Sequence, residues 1–557
     1  MRERARDFAI LLGVCMILTL PNLGAPSLWD LDEGVNAQTS REMQLTDTWV
    51  IPTFNYQLRT AKPVMLYWLQ RFSYAAFGTS EWSARLPSVL AAWLAVLLTY
   101  ELARQMFNRG AGLLAGVVLA SVAQFAILAH AATPDATLLT FTILAYLLFW
   151  IGHSNGGRWW WPAMAAANAL AFLTKGPIGL VLPMTVASLY FLWNRELGRM
   201  FDRRAVLGGV VFVLIAGPWY GLVTSETRGE WIRVFISREN VERFVSVMDK
   251  HQGSVGYYFV IVPIMFAPWS AFLLPLFWYG VAGSRRAAPP PAATNPEPHP
   301  GELTTSIRAN RFLLCWIFAY FAFFSAAATK LPNYLLPIYP AMAILAARYL
   351  TAWRDGELPV ARWMIAATVG GMTAVGAICI AGLFAASLIF PGLKWWAAVG
   401  LIPLATAGCM WVYWRREQRQ GLVRGVAIAS VLFIGVVVGY PALVLEPYKA
   451  PKELARMSGV ANPDRDLRVG QFEWPLPSMV YYAQRQVDAI PSPDAVAQYL
   501  AIPTPAYVFM AENTWNNVVS TRVTVPHRVV GRHYDFLHRG DIVIITNEMA
   551  NVTADNR

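Results

Sequence analysis

The chain has 557 residues, 56% of them hydrophobic, 14% charged and 13% aromatic, with a mean hydropathy of +0.40. Soluble domains carry about 25% charged residues, so this composition excludes an ordinary cytosolic enzyme, and it excludes disorder, which needs the opposite bias. The net charge of +11 lies in short clusters between apolar runs rather than in one basic patch, which argues against a nucleic-acid partner. A polytopic membrane protein is what remains.

The basic start up to Arg6 leads into an apolar run with no small-residue cleavage site before Pro21, so it reads as an uncleaved first span. A spanning helix needs roughly 20 apolar residues. Runs that meet or approach this fall near 8–24, 83–105, 111–131, 134–152, 160–175, 177–194, 205–224, 256–281, 310–328, 332–352, 361–390, 394–414 and 423–443. These predict about 13 transmembrane helices, or 12 if the short runs around Gly176-Pro177 count as one. The cysteines Cys15, Cys315, Cys379 and Cys409 all lie inside such runs and read as small apolar packing residues.

Arginine sets the expected orientation. With the N-terminus inside, the inner segments hold 21 arginines and the short outer loops only Lys175, Lys330 and Lys394. All seven lysines then lie outside. Two outer loops, 25–82 and 225–255, mix aromatics with charge and predict amphipathic helices at the membrane interface. The inner loop 283–309 contains the Pro-rich run 289–300, a solvated linker. From 446 the chain turns polar, and strand-like runs (LRVGQFE, AYVFMAE, RVVGRHY, DIVIITN) alternate with helical patterns such as PDAVAQYLA. The expected architecture is a mainly α membrane domain over 1–445, carrying the chemistry, and a small outer α/β domain over 446–557.

Ionisable groups at the outer ends of spans are informative, because charge near the bilayer core is costly and usually functional. Asp32 and Glu33 follow the first span in SLWDLDEGVNAQTSREM; they are either cavity-facing carboxylates or first-turn acids of an interfacial helix. Asp135, in Ala-Thr-Pro-Asp, has the same two readings, and helix-start chemistry accounts for it well. Lys175 and Lys330 each follow the end of a span, where a cation also suits the helix dipole. Lys62 precedes an apolar stretch, and Arg243 lies in ENVERF, where a snorkelling side chain is the plain alternative. The functional reading shared by these four cations is a site for a lipid phosphate, since phosphate wants ammonium and guanidinium donors at short range.

The blocks DEGVNAQTSREM, AKPVMLYWL, FGTSEWSARLPS, ATPDATLLTF, FLTKGPIGLVLP, ENVERF, HQGSVGYYFVIVPIMFAPWS and KLPNYLLPIYPAMAILAA stand in this order. Through them the chain resembles the bacterial lipid A aminoarabinose transferases and the protein O-mannosyltransferase-like enzymes of the glycosyltransferase C superfamily. The resemblance covers about residues 8–350. It implies transfer of a sugar from a polyprenyl (undecaprenyl) phosphate donor to a lipid, glycan or protein acceptor at the outer, periplasmic face of the bacterial inner membrane. It also places catalytic acids on Asp32, Asp135 and Glu33, donor-phosphate contacts on Lys62, Arg243 and Lys330, and possible substrate contacts on Tyr334 and Lys175. Two departures stand out. The family's Asp-Glu-Pro-Arg-Tyr-Ala-Glu reads Asp-Glu-Gly-Val-Asn-Ala-Gln here, and its frequent Glu-Lys-Pro reads Ala61-Lys62-Pro63. The sugar and the acceptor are left open. Alternative readings are a lipid-linked sugar flippase, although no internal repeat joins the two halves as transporters tend to have, and a scaffold for envelope assembly.

No cofactor is expected, and no metal, because His130, His153, His251, His299, His527, His533 and His538 show no paired ligand spacing. Activity is therefore expected to survive EDTA. Reproducible loss with EDTA, restored by one divalent ion, would overturn this.

Overall fold

Each of the thirteen expected runs coincides with helix in the computed structural model, which describes residues 2–155, 157, 159–247, 253–285 and 300–549. The Pro-rich stretch 289–299 and His251 lie outside the described residues. Among the described residues, eight helices are long and apolar enough to cross a membrane, and two bent pairs bring the number to ten. The other three runs form Arg2–Thr19, Trp160–Lys175 and Ile178–Trp193. The first is charged over its opening turns, and the other two are 16 residues each, cut short by Gly176-Pro177.

The bent pairs satisfy each other. Arg109–Ala120 and Ala123–Ala129 meet at 67°, and Tyr257–Met265 and Trp269–Arg285 at 115°. At the two breaks Ala123 N donates to the Ala267 carbonyl at 2.9 Å, and Trp269 Nε1 donates to Ser121 Oγ at 3.0 Å. In a membrane, backbone groups freed by a break need such internal partners.

Burial separates inner from outer helices. The apolar window of Pro332–Arg354 is 94% buried within the protein, whereas that of Arg362–Ser387, with hydropathy 2.0, is only 11% buried. Apolar surface left open on that scale is solvated by lipid, not water. The chain is a multi-pass membrane protein.

Two compact units make up the chain. The first comprises Met1–Leu23, Thr60–Leu66 and Arg85–Pro441 and holds the large apolar core around Trp150, Phe312, Trp316 and Tyr339. The second comprises Gly24–Arg59, Tyr67–Ala84 and Ala442–Arg557. It contains the hairpin β1 (Thr53–Phe54) and β2 (Gln57–Leu58). Its main sheet is built from β3 (Arg468–Phe472), β4 (Val487–Ala489), β5 (Ala506–Ala511), β6 (Arg528–Asp535) and β7 (Gly540–Thr546), in the order β4-β3-β5-β7-β6. β3 runs parallel to β4 and β5, and β7 antiparallel to β5 and β6.

All six residues of β5 are buried, and strand alternation explains how. Tyr507 and Phe509 join Ile542 and Ile544 in one apolar cluster, while Val508 and Met510 join Val543 and Ile545 in the other. Helical residues cover both faces, Leu454 and Val480 in the first cluster and Val496 and Leu500 in the second. The four strands and the helix Pro493–Ala501 expected from sequence are present. The three-residue β4 lacked any pattern long enough to read.

Candidate functional site in the membrane unit

The first unit contains a cavity of about 450 Å³ whose polar lining includes Lys62, Asp135, Lys175, Glu239, Arg243, Asn333 and Tyr334. Its remaining wall is largely apolar, with Phe235, Val241, Phe244, Phe323 and Phe324 among the contributors.

Asp135 opens the helix Asp135–Asn155 and is 5% exposed. Lys175 Nζ reaches its Oδ1 at 2.6 Å, and Asn333 Nδ2 its Oδ2 at 3.3 Å. The charge of Lys62 also acts attractively on this carboxylate. Lys175 is the last residue of its helix, and Gly176 turns the chain there with φ of +72°. A β-carbon at Gly176 would lie 2.4 Å from the Phe235 ring, so glycine is required both for the turn and for the close approach of the second loop.

That second loop forms the helix Glu230–Ile236, a π-helical turn Ser237–Glu242 and the short turn Arg243–Val245. Trp231 and Phe235 are buried and stacked 4.6 Å apart, whereas Val241 and Val245 are 53% and 67% exposed. Such a division suits a segment with one side on protein and one on lipid. Glu239 pairs with Arg243 at 3.0 Å, the i,i+4 spacing of a helical ion pair. The end of the loop is pinned where Ala328 N donates to the Phe244 carbonyl at 2.8 Å and Thr329 Oγ1 to that of Ser246 at 3.0 Å.

Lys330 lies elsewhere. Its ammonium donates to the carbonyls of Phe324 at 3.0 Å, Ser325 at 2.6 Å and Ala327. An ammonium has three donors, and here all three serve carbonyls at and just beyond the end of the helix Pro300–Ala326. Lys330 thus shapes the turn that leads to Asn333 and Tyr334. Tyr334 stands on the wall with Lys175 Nζ 5.8 Å from its ring centroid.

Asp32 and Glu33 belong to the second unit. Asp32 is exposed and precedes the helix Glu33–Leu45 without a capping bond from its side chain. Glu33 is buried, and its Oε2 accepts the Trp29 N–H at 2.9 Å. Asp30, two residues before Asp32, accepts from Ser478 N at 2.7 Å and from its hydroxyl. Burial pushes the Asp30 carboxyl up to about 6 against those two donors.

Five of the ten polar lining residues, Lys62, Asp135, Lys175, Arg243 and Tyr334, are among those expected from the sequence; Thr142, Glu239, Asn240, Tyr320 and Asn333 are not. Glu239 had a readable signal, its i,i+4 spacing from Arg243. Asn333 lay inside the KLPNY block and was passed over. Among the described residues no group of three or more His, Cys, Asp or Glu is placed to hold a metal.

Thirteen helical runs, with a polar cavity at span ends in the first unit and an α/β sheet in the second, are the architecture of a multi-pass membrane protein of glycosyltransferase C fold. The same fold is seen in ArnT from Cupriavidus metallidurans bound to undecaprenyl phosphate, with a TM-score of 0.79, 23% identity and 98% of each chain covered. Residues 61–220 match the family described as dolichyl-phosphate-mannose-protein mannosyltransferase. An uncharacterized protein of Aquifex aeolicus is 31% identical over 58% of this chain and 68% of its own length. The undecaprenyl phosphate-alpha-4-amino-4-deoxy-L-arabinose arabinosyl transferase 2 of Proteus mirabilis is 29% identical over 61% of this chain and 59% of its own. The chain belongs to the ArnT-like family of the glycosyltransferase C superfamily. It spans between 54% and 59% of the length of the arabinosyl transferases it matches.

Proposed function

We propose that the protein is a membrane glycosyltransferase that moves a sugar from a polyprenyl-phosphate donor to a lipid or other envelope acceptor. The observation that carries this reading is the cavity itself, which joins three cations and two carboxylates to a largely apolar wall. A lipid phosphate fits the cations, and its isoprenoid chain fits the apolar remainder. In the reaction the acceptor oxygen attacks the anomeric carbon, the bond to the phosphate oxygen breaks, and polyprenyl phosphate leaves as a stabilised anion. A single displacement inverts the anomeric carbon. The protein's main work is to position the donor and neutralise its charge.

Lys62 and Arg243 take the donor phosphate in this scheme. Lys175 fixes the Asp135 carboxylate beside the sugar, and Lys330 acts by shaping the wall rather than by touching phosphate. Asp32 serves as general base for a hydroxyl acceptor; a phosphate acceptor needs no base, and Asp32 would then orient it. In this scheme residues 1–445 are the catalytic membrane domain and 446–557 the outer domain, although the loop segments Gly24–Arg59 and Tyr67–Ala84 of the former fold in the second unit with Ala442–Arg557. Lys62→Ala is expected to weaken donor binding about tenfold or more and to alter its salt dependence, with the protein still monodisperse. Unchanged donor affinity in the folded variant would remove Lys62 from the phosphate site.

Sidedness follows from the arginine bias. The N-terminus and the Pro-rich loop are cytoplasmic, and the active site and residues 446–557 periplasmic. Reporter fusions after Arg286 and after Pro447 should report opposite compartments; the same compartment for both would overturn this arrangement.

A further inference from the structure

The exposed pair Leu31-Asp32 is held on both sides by groups distant in sequence. Before it, Ser27 donates from its N and its Oγ to Glu446 Oε2 at 2.9 and 3.1 Å, and Leu28 N donates to the Tyr482 hydroxyl at 2.7 Å. Lys449 Nζ donates to the Ser27 carbonyl at 2.6 Å. Asp30 then takes both donors of Ser478, 448 residues away. After it, a β-carbon at Gly34 would lie 2.7 Å from Ser478 N and 2.8 Å from its Cα. The helix Glu33–Leu45 packs there on the helix Pro477–Ala483. Gly34 has an ordinary negative φ, so it is needed for this close approach and not for its backbone conformation.

We propose that residues 446–482 form a seat that fixes the position of Asp32, with Ser478 as its central positioning residue through Asp30 and Gly34. The proposal rests on the reading of Asp32 as a reacting group. Charged hydrogen bonds are the strong ones, and here one serine supplies two of them to a carboxylate two residues from the acid to be placed. Release of that clamp lets the turn shift, and displacement by about 1 Å can cost up to 10²-fold in rate. Glu446, Lys449 and Tyr482 then keep the loop attached but not aligned.

The test uses full-length protein in detergent, with amide hydrogen exchange over 26–36 and steady-state turnover of a polyprenyl-phosphate sugar. Ser478→Ala should raise exchange over 26–36 and lower kcat on the order of 10–100-fold, with donor KM within about twofold and the unfolding midpoint little changed. Gly34→Ala keeps the serine's bonding groups but adds the clashing carbon, and should give the same split. Raised exchange with full kcat would overturn the positioning role, and unchanged exchange would overturn the clamp itself. Asp32→Asn, run alongside, separates the underlying reading: full turnover there removes Asp32 from the reaction, whatever Ser478→Ala does to exchange.

Discussion

Asp32→Asn is expected to lower turnover by roughly 10²–10⁴-fold, the range for loss of a general base, with donor binding little changed. The substitution keeps the side chain's size and removes its charge and basicity. Asp32 is exposed and has no capping bond to lose, so folding should not suffer. A first-turn acid of purely structural use would behave otherwise, costing at most about 1 kcal/mol of helix stability and no turnover per folded molecule. Donor binding and turnover on monodisperse variants decide between these. Full turnover would remove the base but leave the transfer itself intact, because a phosphate acceptor needs none.

Lys175→Met should be the most destabilising single change on the cavity wall. Asp135 and Lys175 side chains are only 6% and 14% exposed and meet at 2.6 Å. Removal of one partner leaves a buried charge without its ion-pair partner, at a cost of up to about 3–5 kcal/mol; the Lys62 charge and Asn333, at 3.3 Å, offset part of it. The double variant Lys175→Met with Asp135→Leu should recover most of that loss, because apolar replacement of a whole buried pair is often near neutral. Thermal unfolding midpoints in one detergent test this. A double variant no more stable than the single would contradict the pairing argument.

The spans and the C-terminal strands were legible because hydrophobic periodicity is local. The runs 111–131 and 256–281 read as straight spans, yet both are bent, since what permits the bends is the bond from Ala123 N to the Ala267 carbonyl between them. The acids and lysines stood out as charge at the ends of apolar runs, but their partners did not. Lys175 and Lys330 share one local pattern, a cation at a helix end. One reaches a carboxylate 40 residues away and the other folds back onto its own helix carbonyls. Only tertiary neighbours separate them. The contact of Ser478 with Asp30 and Gly34 had no signal in a single sequence, because it joins segments that no periodicity relates.

The central claim is sugar transfer from a polyprenyl-phosphate donor, and the most direct test incubates purified protein with a panel of polyprenyl-phosphate sugars and candidate acceptors. The account predicts release of polyprenyl phosphate with one donor class, matched by inverted glycosylated acceptor and weakened by Lys62→Ala. Protein in sealed vesicles that moves a lipid-linked sugar across the bilayer, with no polyprenyl phosphate released from any donor, would contradict it.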